Sequence, residues 1–268
     1  MTPPSFAAEP AEIKACCAQM YSSELATVLL GEDLHPGGAT ITSRLAGLLG
    51  LDSSSAVLDV ACGRGASAIH LALSTGCTVV GVDFSDASVD AARQAAQAAG
   101  VSDLCTFTAG DAESLALADA SFDALICECA FCTFPDKQSA AREFARVLRP
   151  GGLVGMSDVT RTDHADAELD SLLAWVACIA DARSVEDYKT ILTGAGLHVE
   201  HAEAHDEALL TLAERVRARL VLGRALSTVD PEATGGWDID RAQDLANAAV
   251  RAIRAGTLGY AIITARRQ

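Results

Sequence analysis

The stretch Val57-Leu58-Asp59-Val60-Ala61-Cys62-Gly63-Arg64-Gly65 decides the fold. Val57, Leu58 and Val60 make a short apolar run that ends in small residues and glycines, and Ala66 to Ser74 continues with helical spacing. The pattern predicts a buried parallel strand that turns sharply into a helix. Such a turn brings bare main chain to a ligand: Gly63 and Gly65 have no Cβ, and Asp59 at the strand end can accept hydrogen bonds from a cationic or hydroxyl-bearing group. Working outward, Cys77 to Val82 is a second apolar run, closed by Asp83 eighteen residues beyond Gly65. A carboxylate at the end of a second strand is where nucleotide-binding α/β folds hold a ribose diol.

Strands and helices continue to alternate. Ser85 to Ala99 is an alanine-rich helix that Gly100 can end, and Leu104 to Ala109 is a third strand, followed by Gly110-Asp111-Ala112-Glu113. Ala124 to Cys129 is a fourth strand, Asp136 to Leu148 an amphipathic helix, and the block Arg146 to Asp158 closes with a fifth strand. Gly194 to Glu200 and Gly259 to Thr264 read as two late edge strands, with helices marked by Leu209, Leu212, Val216 and Leu220 and by Ile239, Ala242, Leu245, Ala249 and Ile253. At the N-terminus, Ala11 to Gly31 fits one helix or two broken near Ser22-Ser23. His35-Pro36-Gly37-Gly38 punctuates the chain, and Thr40 can cap the next helix. The predicted class is α/β, a Rossmann-like doubly wound sheet of about seven strands with an N-terminal helical cap, and ligands at the carboxyl ends of the strands.

Composition narrows the partners. The chain has 268 residues, half of them hydrophobic, enough for one large α/β domain with additions. A net charge of −16, with lysine only at 14, 137 and 189, argues against a nucleic-acid partner and against an anionic membrane surface. No apolar run is long enough to span a bilayer, and the first ten residues lack the features of a secretory signal, so the expected compartment is the cytoplasm. Nine cysteines in a reducing compartment point to core filling, metalloid ligation or catalysis before disulfides.

Asp59, Ala61, Gly63 and Gly65, followed by R-V-L-R-P-G-G-L-V-G-M-S-D over Arg146 to Asp158, resemble the class I S-adenosylmethionine-dependent methyltransferases. The dinucleotide pattern G-x-G-x-x-G is not matched, because Ala68 stands where its last glycine would. The resemblance implies S-adenosylmethionine as cofactor, held by Asp59, Ala61, Gly63, Gly65, Asp83, Phe84, Asp111, Ala112 and Glu128, with Asp83 on the ribose and Asp111 on the adenine amino group. It also implies a cap over residues 1–52 and a cofactor-binding domain over 53–268, with helical additions at about 161–190 and 206–256. Ala61 replaces a glycine of the family pattern, a change that costs little if the backbone there needs no positive φ.

The end of the fourth strand, I-C-E-C-A-F-C-T-F-P-D-K over Ile126 to Lys137, lies where substrate is met. By strand alternation Cys127 and Cys129 share one face and Glu128 takes the other. Core packing is the expectation for Cys62, Cys77, Cys105 and Cys127. Paired C-x-x-C units and a histidine at ligand spacing are missing, so no zinc site is expected.

The segment resembles the arsenite methyltransferases, through Cys129 with Pro135-Asp136-Lys137, through Ser157-Asp158-Val159, and through Cys178 in W-V-A-C-I-A-D-A. Ala15-Cys16-Cys17 is similar to that subgroup's N-terminal cysteine pair. Glu128 stands beside the cysteine where asparagine is common in the subgroup. The resemblance implies a soft metalloid, trivalent arsenic, held by Cys129 and Cys178 with Cys17 as a further candidate, and Glu128 beside them in the catalytic site. A thiol-bound metalloid keeps a lone pair and needs no base. Methylation of a small organic acceptor would need one, with Glu128, Asp158 or His164 as candidates. A cofactor-binding regulator without turnover is the alternative outside enzymes. His35, His70, His198, His201 and His205 read as surface or packing residues, and a homodimer is compatible with the apolar C-terminal helices.

Overall fold

The computed structural model describes residues 9–31, 34–162, 169–171, 173–174, 177–227 and 238–268. Seven strands form one sheet in the order β3-β2-β1-β4-β5-β7-β6: β1 Ala56–Val60, β2 Thr78–Asp83, β3 Cys105–Ala109, β4 Phe122–Glu128, β5 Leu148–Arg161, β6 Leu197–Ala204 and β7 Leu258–Arg267. β1 to β5 pair in parallel, and β7 runs antiparallel between β5 and β6. The strand order reverses between β1 and β4, and in a parallel sheet that crevice is where a ligand sits.

The alternation of side chains along β1 explains the layering. Val57 packs with Leu71 of α4 (Ala66–Thr75) and Val89 of α5 (Asp86–Ala98) on one face. Leu58 and Val60 pack with Phe144 of α6 (Lys137–Val147) and Tyr188 of α7 (Val185–Gly194) on the other. A third apolar cluster joins α1 (Pro10–Ser22) and α3 (Gly38–Leu49) to α8 (Asp206–Ser227), α9 (Ile239–Arg254) and β7, through Ile13, Ile41, Leu45, Leu209, Leu245 and Tyr260. The short α2 (Glu24–Leu30) begins at Ser23, whose hydroxyl accepts from Ala26 N at 3.1 Å, so the expected break near Ser22-Ser23 is a helix cap. Within the stretch expected as a cap, α3 packs directly on the sheet: a Cβ at Gly155 of β5 would meet Leu49 at 2.9 Å and Leu45 at 3.0 Å.

Three local expectations shift. α3 starts at Gly38 after Gly37 in a left-handed conformation, so Thr40 lies inside the helix and does not cap it. β6 starts at Leu197, because Gly194 closes α7 and Gly196, at φ +85°, turns the chain. Cys127 and Cys129 do not share a face: β4 ends at Glu128, and Cys129 at φ +52° turns its side chain toward the cluster of α1, α3 and β7, while Cys127 stays with α6. Among the described residues no helix is long and apolar enough to cross a membrane.

Candidate cofactor and acceptor site

A cleft of about 1050 Å³, counted with its open mouth, lies over the carboxyl ends of β1 to β4 and beneath α1. Its floor is the turn after β1. Ala61, Gly63 and Gly65 all have positive φ, at +59°, +52° and +81°. The replacement at Ala61 therefore has a cost: an alanine is held where the family pattern has glycine. Gly63 lines the cleft; Gly65 stands behind it, where a Cβ would touch Ala92 and Phe107 at 3.0 Å, so its bareness serves helix and strand packing. Asp83 fastens the turn, its Oδ2 accepting from Gly63 N at 2.8 Å and its Oδ1 from Ser85 N at 2.9 Å. Burial raises the Asp83 carboxyl above the ordinary aspartate range.

Asp59 is buried and its Oδ2 has no hydrogen-bond partner among the described residues. Its carboxyl is held well above the usual range by burial, with Glu128 and Asp83 adding repulsion. A cationic ligand group relieves both. Ala61, Asp83, Phe84, Asp111, Ala112 and Glu128 all line the same cleft. The orphaned Asp59 oxygen, bare Gly63, the Asp83 carboxylate and the half-exposed Phe84 ring fit a ligand with an amine, a ribose and an aromatic base.

α1 covers this cleft with one stripe, Lys14, Cys17, Ala18 and Tyr21, at the i, i+3, i+4, i+7 spacing of a helix face. Lys14 Nζ reaches Asp111 Oδ2 at 2.7 Å and Glu113 Oε2 at 2.5 Å, so the acid expected on adenine is paired with the cap. Burial lowers the Lys14 pKa, but the hydrogen bonds to Asp111 and Glu113 outweigh it and leave the ammonium raised.

Cys129 lines the cleft, and Cys132 and Cys178 are buried behind it. Cys129 and Cys178, at φ +52° and +64°, are two of the five non-glycine residues with positive φ among the described residues; Leu34 and Ala61, which line the cleft, are two more. Backbone strain of this kind concentrates at functional sites. Cys178 Sγ lies 3.2 Å from Cys129 O and 3.1 Å from the Tyr21 hydroxyl. Hydrogen bonds from the Cys129 and Cys132 thiols, then from Tyr21, hold the Cys178 pKa well below the ordinary thiol value in spite of burial. Cys17 lines the cleft with its pKa pushed up to about 12 by burial, and Cys16 does not line it. The loop carrying Cys132 is fixed by Lys137 Nζ, which donates to Cys132 O at 2.8 Å and pairs with Asp181 at 2.5 Å, and by Asp158, whose Oδ2 accepts from Cys132 N at 3.0 Å. Burial lifts Asp158 to about 7.

Glu128 faces the cleft with Oε2 accepting from Thr42 Oγ1 at 3.0 Å and Oε1 from Ser157 Oγ at 3.3 Å; Ser157 Oγ in turn accepts from Tyr260 at 2.9 Å. His35 is no surface residue: it is buried in the cleft wall, its Nε2 3.8 Å from Glu128 Oε2. His164 lies outside the described residues. Among the described residues, no three His, Cys, Asp or Glu side chains are grouped so as to hold a metal ion. Lys14, Tyr21, Thr42 and Cys132 were not singled out from the sequence; the helical stripe of α1 is the signal that points to the first two.

A model of the methyltransferase domain matches residues 58–156. The chain is 33% identical over 196 residues to 27-O-demethylrifamycin SV methyltransferase of Amycolatopsis mediterranei, covering 68% of this chain and 72% of that one. It is 33% identical over 158 residues to an arsenite methyltransferase of Halobacterium salinarum, covering 57% of this chain and 39% of that one. The fold is that of geranyl diphosphate C-methyltransferase from Streptomyces coelicolor, solved with S-adenosyl-L-homocysteine, at a TM-score of 0.75 and 16% identity over 97% of this chain and all of the other.

Proposed function

Since the chain belongs to the class I S-adenosylmethionine-dependent methyltransferases, we propose that it methylates a small, soft acceptor, trivalent arsenic, held by the thiols of Cys129 and Cys178. The observation that carries this reading is the contact of Cys178, buried behind the cleft wall, with the carbonyl of Cys129, which lines the cleft, the two coming from separate segments and both in left-handed backbone.

When bound, S-adenosylmethionine supplies an electrophilic methyl on a sulfonium. Asp83 would hold the ribose hydroxyls, Phe84 and Asp111 the adenine, and Asp59 the methionyl ammonium. The acidic wall of Asp59, Asp83 and Glu128 favours the cationic cofactor over its neutral product, which helps turnover. Cys178 provides the first thiolate, because its neighbours Cys129, Cys132 and Tyr21 hold its pKa below the ordinary thiol value. Cys129 follows, and an external thiol completes three sulfurs around arsenic, since among the described residues no third protein thiol is grouped with these two so as to hold a metal ion. Arsenic then carries a lone pair, so the protein's part in the chemical step is positioning.

A second reading has its own support: Glu128 and His35 stand side by side in the cleft wall, suited to deprotonating an organic hydroxyl, and the rifamycin enzyme covers most of the chain. A product assay with labelled cofactor separates them. Arsenite plus thiol gives methylated arsenic with the native protein and none with Cys129→Ser or Cys178→Ser, both of which keep cofactor affinity. Full activity in both variants, or transfer only to an organic hydroxyl, ends the metalloid reading.

A further inference from the structure

We infer that Arg64 is the partner of the cofactor's α-carboxylate, so that Arg64 and Asp59 together read the zwitterion at its amino-acid end. The inference rests on the cofactor, and not on the acceptor.

Among the described residues three buried side-chain atoms have no hydrogen-bond partner: Asp59 Oδ2, Arg64 Nε and Gln243 Oε1. Gln243 lies on α9, away from the cleft. The other two line one cleft and carry opposite charges. Buried polar groups are almost always paired, so two complementary orphans in one wall describe the ligand group that satisfies both: an ammonium against the carboxylate and a carboxylate against the guanidinium.

The rest of the cleft says which cation is available. Its walls carry Asp59, Asp83, Asp111 and Glu128, a field that repels a ligand carboxylate. Lys14 is committed to Asp111 and Glu113. Arg64 sits between Gly63 and Gly65, and its Nη1 donates to Thr27 Oγ1 of α2 at 3.1 Å, which braces the guanidinium and leaves its Nε edge for a ligand. In the sequence Arg64 stands between Gly63 and Gly65 with no pattern to single it out; in the fold its Nε is an unpartnered guanidinium edge in the cleft wall.

The test compares three ligands by calorimetry without any acceptor: S-adenosylhomocysteine, its decarboxylated counterpart, and 5′-methylthioadenosine, which lacks the amino acid altogether. The native protein binds S-adenosylhomocysteine at least about tenfold tighter than the decarboxylated compound, the effect of one charge-assisted contact. Arg64→Met brings that ratio to near one while methylthioadenosine affinity stays within about threefold. Arg64→Lys keeps part of the ratio, and Thr27→Val, which removes only the brace, lowers it. A native protein that does not discriminate between the first two ligands, or an Arg64→Met variant with the native ratio, overturns the inference. A purely structural Arg64 would weaken all three ligands together and leave the ratio unchanged. Failure of arsenite methylation has no bearing on this result.

Discussion

The hydroxyl of Tyr21 on α1 stands 3.1 Å from the sulfur of Cys178, 157 residues along the chain, so the N-terminal helix supports a buried thiol beside the Cys129 carbonyl. Hydrogen bonds to a thiolate favour the charged form. Tyr21→Phe removes one of the three donors on Cys178, after those from Cys129 and Cys132. The thiolate titration, followed at 240 nm against a Cys178→Ser blank, is expected to move upward. An unmoved midpoint means that Tyr21 only packs.

Lys14 gives α1 its second fastening, on Asp111 and Glu113, at the adenine end of the cleft. An adenine held by Asp111, as proposed, would compete with that ion pair and would couple cofactor exchange to movement of α1. Lys14→Met removes that competitor and is expected to lower the dissociation rate constant of S-adenosylhomocysteine by about threefold or more in stopped-flow fluorescence, and to flatten its salt dependence, since salt screens a partly exposed ion pair. Equal rate constants at low and high salt in the native protein would remove the coupling.

The contrast between these two residues and the turn after β1 shows what a sequence can disclose. Asp59, Gly63 and Asp83 were legible because their geometry is local: a strand, a turn and a second strand within one βαβ unit place all three. Lys14 meets Asp111 across 97 residues, and Thr42 meets Glu128 across 86, and no pattern in either segment names the other. Cys129 was put on the wrong face because alternation assumes an extended backbone, which a φ of +52° ends. The position of Cys178 rests only on a family likeness; nothing in W-V-A-C-I-A-D-A indicates that its sulfur meets the carbonyl of Cys129. His35 read as packing because punctuation by Pro36, Gly37 and Gly38 concealed that the turn folds into the cleft wall.

Cofactor affinity is expected to rise with pH across the weakly acidic range. Asp59 and Asp83 have raised pKa values in the free protein, chiefly through burial. A bound sulfonium and ammonium favour their charged forms, so binding releases protons and is favoured as pH rises through the free-protein values. The same groups act oppositely on the empty protein: a carboxyl raised on folding contributes stability below the unfolded value near 3.8, and loses it as pH rises through the folded value. Asp158, lifted to about 7, adds to that loss. Calorimetry in two buffers of different ionisation enthalpy measures the released protons; proton uptake would show the signs to be wrong.

Asp83→Ala is expected to weaken S-adenosylhomocysteine binding by well over tenfold, because it removes the proposed ribose acceptor and also the carboxylate that fastens Gly63 and Ser85. Asp83→Asn separates the two roles: its carbonyl oxygen restores one backbone contact, while its amide nitrogen cannot accept from the second donor or share a ribose hydroxyl as a carboxylate does. Unchanged affinity in Asp83→Ala would remove the ribose assignment.

Ala61 tests the turn itself. A left-handed alanine costs about 1–2 kcal/mol, which Ala61→Gly removes. Glycine gives back about 0.4–1 kcal/mol through the freer unfolded chain. Loss of a half-buried methyl packed beside the cluster of Val60 and Phe131 takes up to about 0.8 kcal/mol more. The terms nearly cancel, so Ala61→Gly is expected within about 0.5 kcal/mol of the native stability by denaturant unfolding. Ala61→Val, which puts a β-branched side chain where φ is +59°, is expected to cost about 2 kcal/mol or more. The pair isolates backbone conformation from side-chain volume: a position with ordinary negative φ would make glycine the worse substitution by about 1 kcal/mol and leave valine tolerated if space allowed. That reversed order would mean the main chain after β1 does not take the left-handed turn on which the cofactor cradle depends.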